Sequence, residues 1–261
     1  MQPQQAGTAD PALDDAALLR YARQLLLDDW GPEAQARLQA ARVLIVGLGG
    51  LGNPAAQLLA RAGVGELVLV DPDGVEISNL QRQILFSEAE LGQNKAEAAA
   101  QHLHTDNPAV RVQVWPQRAT AENLPRLLEG CTLVLDCSDN FATRDALNRA
   151  CVRAGVPLLS AAAIGLTGQL ALFLPQRGCY ACVFGVDAVA DERRCADTGV
   201  LATTPVVIGS LQAHQALLYL GLGNTALAGR LWLWDGLDLQ ARSIRLQPDP
   251  HCVVCGAAPQ P

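Results

Sequence analysis

The chain has 261 residues, half of them hydrophobic and 17% charged, which is ample material for one large α/β core or two smaller ones. A formal net charge of −7 and a pI near 5.0 exclude nucleic acid as the main partner, since phosphate binding needs clustered Lys and Arg. No basic amphipathic stretch points to a membrane surface either.

Residues 1–17, MQPQQAGTADPALDDAA, lack a basic n-region and an apolar h-region, so they are expected to be a mobile tail rather than a signal peptide. The pattern then alternates. Arg42–Gly47 reads as a buried strand, Asn53–Ala62 as a helix, and Glu66–Val70 as a strand ending at Asp71. Lys95–His104 reads as a helix, Val110–Trp115 and Thr132–Leu135 as strands, Ala142–Ala154 as a helix, and Pro157–Ser160 as a strand. Continuous apolar strands separated by helices predict a Rossmann-like, doubly wound, mostly parallel sheet covered on both faces.

After Gly165 the character changes. Gly168–Leu174 reads as an extended strand, Val206–Leu220 as a long apolar helix, and Arg230–Trp234 with Ser243–Leu246 as a hairpin across Gly236. No Asp, Glu, Lys or Arg occurs from Thr198 to Gly229, but polar residues are spread along that stretch. It therefore reads as a helix in a tight core or subunit interface rather than a membrane span, with His214 as a core residue. One domain over 18–256 is expected, with a β-rich, zinc-tethered part at about 166–256 and a short tail at 257–261.

The segment VLIVGLGGLG carries G-x-G-x-x-G at Gly47, Gly49 and Gly52, between a buried strand and a helix. Gly47 permits the tight turn, Gly49 and Gly50 let phosphate approach the backbone, and Gly52 permits close helix packing. Asp71, at the end of the second strand, suits ribose hydroxyls. This pattern alone does not choose between NAD and ATP. SNLQRQ at 78–83 and Lys95 bring cations that a dehydrogenase does not need and a triphosphate does, unless Arg82 and Lys95 are ordinary surface charges. In DCSDN, Asp139 is placed either to hold Mg²⁺ or to cap the next helix.

Cys179-Tyr-Ala-Cys182 and Cys252-Val-Val-Cys255 form two C-x-x-C pairs. Together they supply four thiolates for tetrahedral Zn²⁺; redox-active C-x-x-C is the competing reading. Eight cysteines without an export signal point to a reducing, cytoplasmic setting. Cys131, Cys137 and Cys151 read as small core residues. Cys195, beside Arg193 and Arg194, is either an activated thiolate nucleophile or an ordinary loop cysteine.

In order, the segments RYARQ, GLGGLG, DPD, SNLQRQ, GQNK, DCSDN, CYAC, CADTG, GSLQA and CVVCG resemble the ThiF/MoeB family, bacterial relatives of ubiquitin-activating enzymes. The resemblance spans about 18–256. It implies ATP–Mg²⁺-dependent adenylation of the carboxy-terminal glycine of a ubiquitin-like sulfur carrier ending in Gly-Gly, followed by sulfur transfer from a sulfurtransferase or cysteine desulfurase. By matching motif positions, Gly50 is implied to contact phosphate and Asp71 to bind ribose. Asn79, Arg82 and Lys95 are implied triphosphate contacts and Asp139 a Mg²⁺ ligand; Asp73, Gln83 and Asn140 join the nucleotide set. Arg23 matches an arginine that the family's homodimer supplies to the partner subunit's ATP, and Cys195 a cysteine implicated in sulfur handling or carrier conjugation.

The chain departs from the family pattern at Thr203 and Val206, where Pro and Gly are usual, with Pro205 between them. That departure bears on the crossover near the carrier tail. YARQLLLDD, SNLQRQILF, GCYAC and ERRC stand nearer to the ThiF type, which serves thiamine thiazole synthesis, than to the MoeB type, which serves molybdopterin synthase. No rhodanese-like extension is expected after Cys255. The rival readings are activation of a tRNA-linked carboxylate, an NAD-dependent oxidoreductase and a non-catalytic scaffold for a ubiquitin-like partner. The oxidoreductase lacks an evident hydride-relay histidine.

Overall fold

The computed structural model describes residues 13–186 and 199–256. Five apolar strands, β1 (Arg42–Val46), β2 (Glu66–Val70), β3 (Arg111–Trp115), β4 (Leu133–Asp136) and β5 (Leu158–Ile164), pair in parallel in the order β3-β2-β1-β4-β5. The chain then reverses. Gly165 (φ 57°) and Leu166 close a two-residue loop onto β6 (Thr167–Phe173), a hairpin geometry that favours glycine first. β7 (Arg230–Asp235) and β8 (Gln240–Arg245) continue antiparallel, completing one eight-stranded sheet.

Alternate side chains of each parallel strand face opposite layers. Val43, Ile45, Leu67, Leu69, Leu133 and Leu135 pack under α3 (Gly31–Ala40), α4 (Gly52–Ala62), α5 (Lys95–Asp106) and α9 (Thr203–Leu222). Leu44, Val46, Val68, Val70 and Val134 pack under α6 (Leu124–Leu127), α7 (Phe141–Ala154) and α8 (Tyr180–Phe184). The expected doubly wound sheet is present, with its antiparallel extension on the β5 side.

The amino-terminal helices lay outside the sequence-based expectations. α1 (Asp15–Arg20) starts where the Asp14 side chain accepts from the Ala17 N–H, so 15–17 are helical rather than tail. α2 (Ala22–Leu25) follows. Buried Gln35 of α3 gathers this region: its Oε1 accepts from Gln24 and Trp30, and its Nε2 donates to the Ala62 carbonyl at the end of α4. The signals were weak because these helices are short and expose leucines such as Leu18 and Leu19, so no apolar periodicity marks an inner face.

α9 replaces the expected helix at Val206–Leu220 with a longer one, and its inward face carries Ile208, Gly209, Gln212, Ala213 and Ala216. His214 is on the other face and is exposed, which corrects the expectation of a core histidine. Among the described residues no helix is long and apolar enough to cross a membrane. Gln212 is buried, with its Nε2 donating to the carbonyls of Asp136 and Leu159, which pins α9 across β4 and β5.

α9 can lie this close to α4 because Gly209 has no side chain: a Cβ there would sit 2.3 Å from the Leu51 carbonyl oxygen. Backbone cannot yield as a flexible side chain can. Gly209→Ala is expected to cost about 1–3 kcal/mol, seen as a melting temperature lowered by several degrees in thermal unfolding.

Candidate functional site

Strand order reverses between β1 and its neighbours β2 and β4, which opens a crevice at the carboxyl ends of those strands. A cavity of ≈ 1450 Å³ occupies it. Gly47 and Gly52 build its floor. Gly47 has φ 94°, and a Cβ would lie 2.6 Å from the Cys137 carbonyl oxygen. At Gly52 a Cβ would lie 1.9 Å from the carbonyl oxygen of Gly47. α4 begins without a side-chain cap; the Asn53 N–H bonds the Gly49 carbonyl and Pro54 has none, so the backbone offered to an anion is that of Gly49, Gly50 and Leu51 just ahead of it. Gly49 and Gly50 line the cavity beside it.

The 78–83 segment folds over this loop. Ile77–Asn79 is a 3₁₀ turn, and Arg82 and Gln83 both donate their N–H to the Asn79 carbonyl. Asn79, Arg82 and Gln83 therefore face the cavity together. Arg82 lies beside Gly50, and its Nη1 donates to the Ser78 carbonyl. Gln83 Nε2 donates to Asn79 Oδ1 at 3.0 Å, while its buried Oε1 has no partner among the described residues. Asn53 ties the loop to this segment, donating to Leu48 O and accepting from Leu85 N.

Asp71 follows β2 and is buried. Its Oδ2 accepts from the Leu48 N–H at 2.6 Å and its Oδ1 from the Asp73 N–H at 2.9 Å. Burial pushes its carboxyl above the ordinary 3.8 in spite of these two donors and nearby Lys95. Lys95 opens α5, where Asn94 caps the helix and also donates to the Asp71 and Asp73 carbonyls. Lys95 is buried, with its Nζ 3.3 Å from exposed Asp73 Oδ2.

β4 delivers Asp139 to the opposite wall, exposed to the cavity. The cap of α7 is Asn140, whose side chain accepts from the Thr143 N–H, so Asp139 is not consumed by capping. Thus Gly47, Gly49, Gly50, Asp71, Asp73, Asn79, Arg82, Gln83, Lys95, Asp139 and Asn140 converge on one cavity. Arg23 does not. It is exposed on α2, which docks through Gln24 at the Ala62 end of α4, roughly 16 Å of helix from the glycine loop. Cys195 lies outside the described residues.

Arg118 and Trp234 are among the lining residues that escaped the sequence reading, where Pro205 figured only as part of a departure from the family pattern. Arg118 follows β3, and a rule that loops after parallel strands border the crevice would have found it. Pro205 lies against Gly50, where a Cβ would be 2.9 Å from its ring. The departure at 203–206 therefore packs on the glycine loop, with Thr204 Oγ1 bonded to the Gly165 carbonyl. Trp234 lines the far end, on β7.

Across α7 from this cavity, Cys179, Cys182, Cys252 and Cys255 place their sulfurs within 4.8 Å of one another. The separations are 3.9 Å (179–182), 3.7 Å (179–252) and 3.4 Å (182–255). A disulfide requires about 2.05 Å, whereas tetrahedral thiolates at about 2.3 Å from zinc lie roughly 3.8 Å apart. The four thiols fit Zn²⁺ as a closed set. Burial pushes Cys131 up to about 11 and Cys151 to about 12, as inert thiols should be; Cys137 is raised for the same reason.

Comparison with known proteins decides the family. The ThiF family model matches residues 21–254. The chain belongs to the ThiF family. Within it, the chain is 44% identical to the Escherichia coli sulfur carrier protein ThiS adenylyltransferase, covering 94% of this chain and 98% of that protein. It is also 44% identical to the E. coli molybdopterin-synthase adenylyltransferase, with the same two coverages. A Thermus thermophilus sulfur carrier protein adenylyltransferase is 42% identical over 92% of this chain and 91% of its own length. Among solved structures, E. coli MccB with ATP superposes with a TM-score of 0.75 at 27% identity, covering 85% of this chain and 69% of that one.

The cysteine set yields a direct test of this ThiF-family chain. Burial raises the Cys252 thiol, but the Cys255 and Val254 N–H groups pull it back to about 7, while Cys179 and Cys255 are held above their ordinary value, burial being the main cause. Thiols must shed their protons to ligate metal. Competition with a chromophoric chelator is expected to show one Zn²⁺ per chain, with affinity falling with pH throughout the neutral range, because Cys179 and Cys255 are protonated there, and more steeply below about 7, where Cys252 also takes a proton. An affinity unchanged from pH 8 to 6 would contradict thiolate ligation.

Proposed function

We propose that this protein uses ATP and Mg²⁺ to adenylate the carboxy-terminal glycine of a ubiquitin-like sulfur carrier of the ThiS or MoaD type. The observation that carries the reading is the meeting of the glycine-loop backbone with Arg82 and Lys95 on one side and Asp139 on the other, in one cavity. An anion with several charges suits that arrangement; a hydride donor does not need it.

The cavity also exceeds the upper end of small-molecule sites, about 1,000 Å³. Its remainder, bordered by Ala163, Gly168 and Trp234, suits an extended glycine tail. In the reaction a carboxylate oxygen of the tail attacks the α-phosphorus and the bond to pyrophosphate breaks. The nucleophile is already ionised, so no enzymic base is required. The protein's task is to hold the reactants in line and neutralise the charge that builds on pyrophosphate. Arg82, Asn79 and Lys95 serve the phosphates and Asp71 the ribose, and Asp139 would hold Mg²⁺, which would offset phosphate charge. The acyl-adenylate is then open to a sulfur donor such as a sulfurtransferase or cysteine desulfurase, with Cys195 the candidate for handling sulfur or carrier.

Arg23 fits a role supplied across a homodimer, since its own fold holds it at the wrong end of α4. Mixing Arg23→Ala with Asp139→Ala protein is expected to restore activity that neither has alone, because each mixed dimer keeps one intact site. Activity equal to the sum of the two variants would reject the shared site.

The central test is ATP–pyrophosphate exchange. Exchange is expected only when a ThiS- or MoaD-type carrier is added, and Arg82→Ala should lower it about 10²–10³-fold with little loss of stability. Exchange absent with every such carrier would overturn the reading. Nucleotide affinity should weaken on acidification, beginning above the pH where an ordinary Asp protonates, because the raised Asp71 carboxyl loses its power to accept ribose hydroxyls first. Calorimetry across pH 4–7 checks this, with Asp71→Asn expected to be weak and flat.

A further inference from the structure

Beneath the Asp139 turn lies a buried polar network that the reaction itself does not use. Arg144 of α7 is 7% exposed and Asp136 of β4 is 0% exposed. Arg144 Nη1 donates to Asp136 Oδ2 at 3.2 Å and to Ser160 Oγ at 3.3 Å. Its Nη2 donates to the Ser138 carbonyl and to the Ala161 carbonyl. Asp136 in turn accepts from the Ser138 N–H, the Ser138 hydroxyl and the Ser160 hydroxyl. The Ser138 carbonyl belongs to the peptide unit that leads into Asp139. The guanidinium therefore grips the backbone from which that carboxylate projects.

One turn further along the same face of α7, Asn148 reaches the cysteine cluster. Its Oδ1 accepts from the Tyr180 N–H at 2.9 Å, and its Nδ2 donates to Cys179 Sγ at 3.5 Å. The Tyr180 side chain also hydrogen-bonds Arg144. Cys179-Tyr180 thus touches α7 at two positions four residues apart, the spacing that stacks side chains on one helix face. A buried guanidinium is tolerated only with its N–H groups satisfied, so Arg144 cannot follow a shift of Tyr180 without drawing on its other acceptors.

We propose that the four-cysteine knuckle positions the Asp139 turn, with Arg144 and Asn148 as the positioning residues that link them. The inference rests on the cavity being an ATP–Mg²⁺ site. If the two sites share one rigid element, each must affect the other equally in binding free energy.

The test uses the full chain with its zinc. Calorimetry measures a non-hydrolysable ATP analogue with and without Mg²⁺, and a chromophoric chelator reports zinc release. In the unaltered chain, Mg²⁺ is expected to strengthen nucleotide binding, and nucleotide with Mg²⁺ to slow zinc release. In Tyr180→Phe, which keeps its ring contacts with Phe173 and Phe184, affinity without Mg²⁺ should stay within about twofold. The Mg²⁺-dependent gain should fall at least about fivefold, and the slowing of zinc release should disappear. Tyr180 and Arg144 themselves line the cavity, so Asn148→Ser, at a residue that does not, is the deciding variant and should act in the same direction.

An unchanged Mg²⁺-dependent gain in Asn148→Ser would overturn the inference, whatever Tyr180→Phe does. So would zinc release indifferent to nucleotide in an unaltered chain that binds it. An unaltered chain that binds no nucleotide would instead overturn the nucleotide reading, and the inference with it.

Discussion

The constraint on which the rest of the structure depends is the approach of three backbone segments at the carboxyl end of β1. Gly47 lies against the Cys137 carbonyl, and Gly52 against that of Gly47, at distances no side chain permits. That contact draws the β4 turn onto the glycine loop, and with it Asp139 onto the face opposite Arg82 and Lys95. It also leaves the backbone of Gly49, Gly50 and Leu51, rather than a capping side chain, at the cavity ahead of α4. Where polar side chains are needed nearby, each is held by backbone: Asp71 by two N–H donors, and Asn53 and Asn94 between the strand ends and the segments that follow them.

The four-cysteine cluster is built on different terms. Its two pairs come from segments far apart in the chain, and a bound metal would repay the cost of crowding ionised sulfurs together. The cluster borders α7 rather than the open surface, and α7 has two occupied ends. Its amino-terminal turn carries Asn140 and Arg144 beneath the cavity, and its middle carries Asn148 against Cys179. Chain tethering and site geometry therefore share one helix.

Much of this was legible from sequence because the signals were local. The strands at 42–46 and 66–70 are continuous apolar runs, and Gly47–Gly52 follows the first at a fixed spacing. Arg82 and Lys95 stand out because they are the only Lys or Arg between Arg61 and Arg111. The two C-x-x-C pairs announced four ligands. Legibility failed where the decisive contact was distant. α1 to α3 gain their stability from Gln35 and Tyr21 docking on the end of α4, which no local pattern encodes. His214 was misassigned because an uncharged helix looks buried all round, whereas only one face of α9 meets the sheet.

What the sequence determined by itself was the parallel sheet, the glycine turn after β1, the four-cysteine set and the family, since residue type and short spacing suffice for each. What only the tertiary structure decided was assignment. It made Asn140 the helix cap and left Asp139 facing the cavity, because Asn140 Oδ1 meets the Thr143 N–H while Asp139 Oδ1 accepts from Asn140 Nδ2. It put Pro205 against the glycine loop and Arg23 well away from it. It also buried Arg144 between the metal-ligand knuckle and the Asp139 turn. Each of these depends on which distant backbone a side chain meets, and that is fixed only when the sheet closes and the helices pack over it.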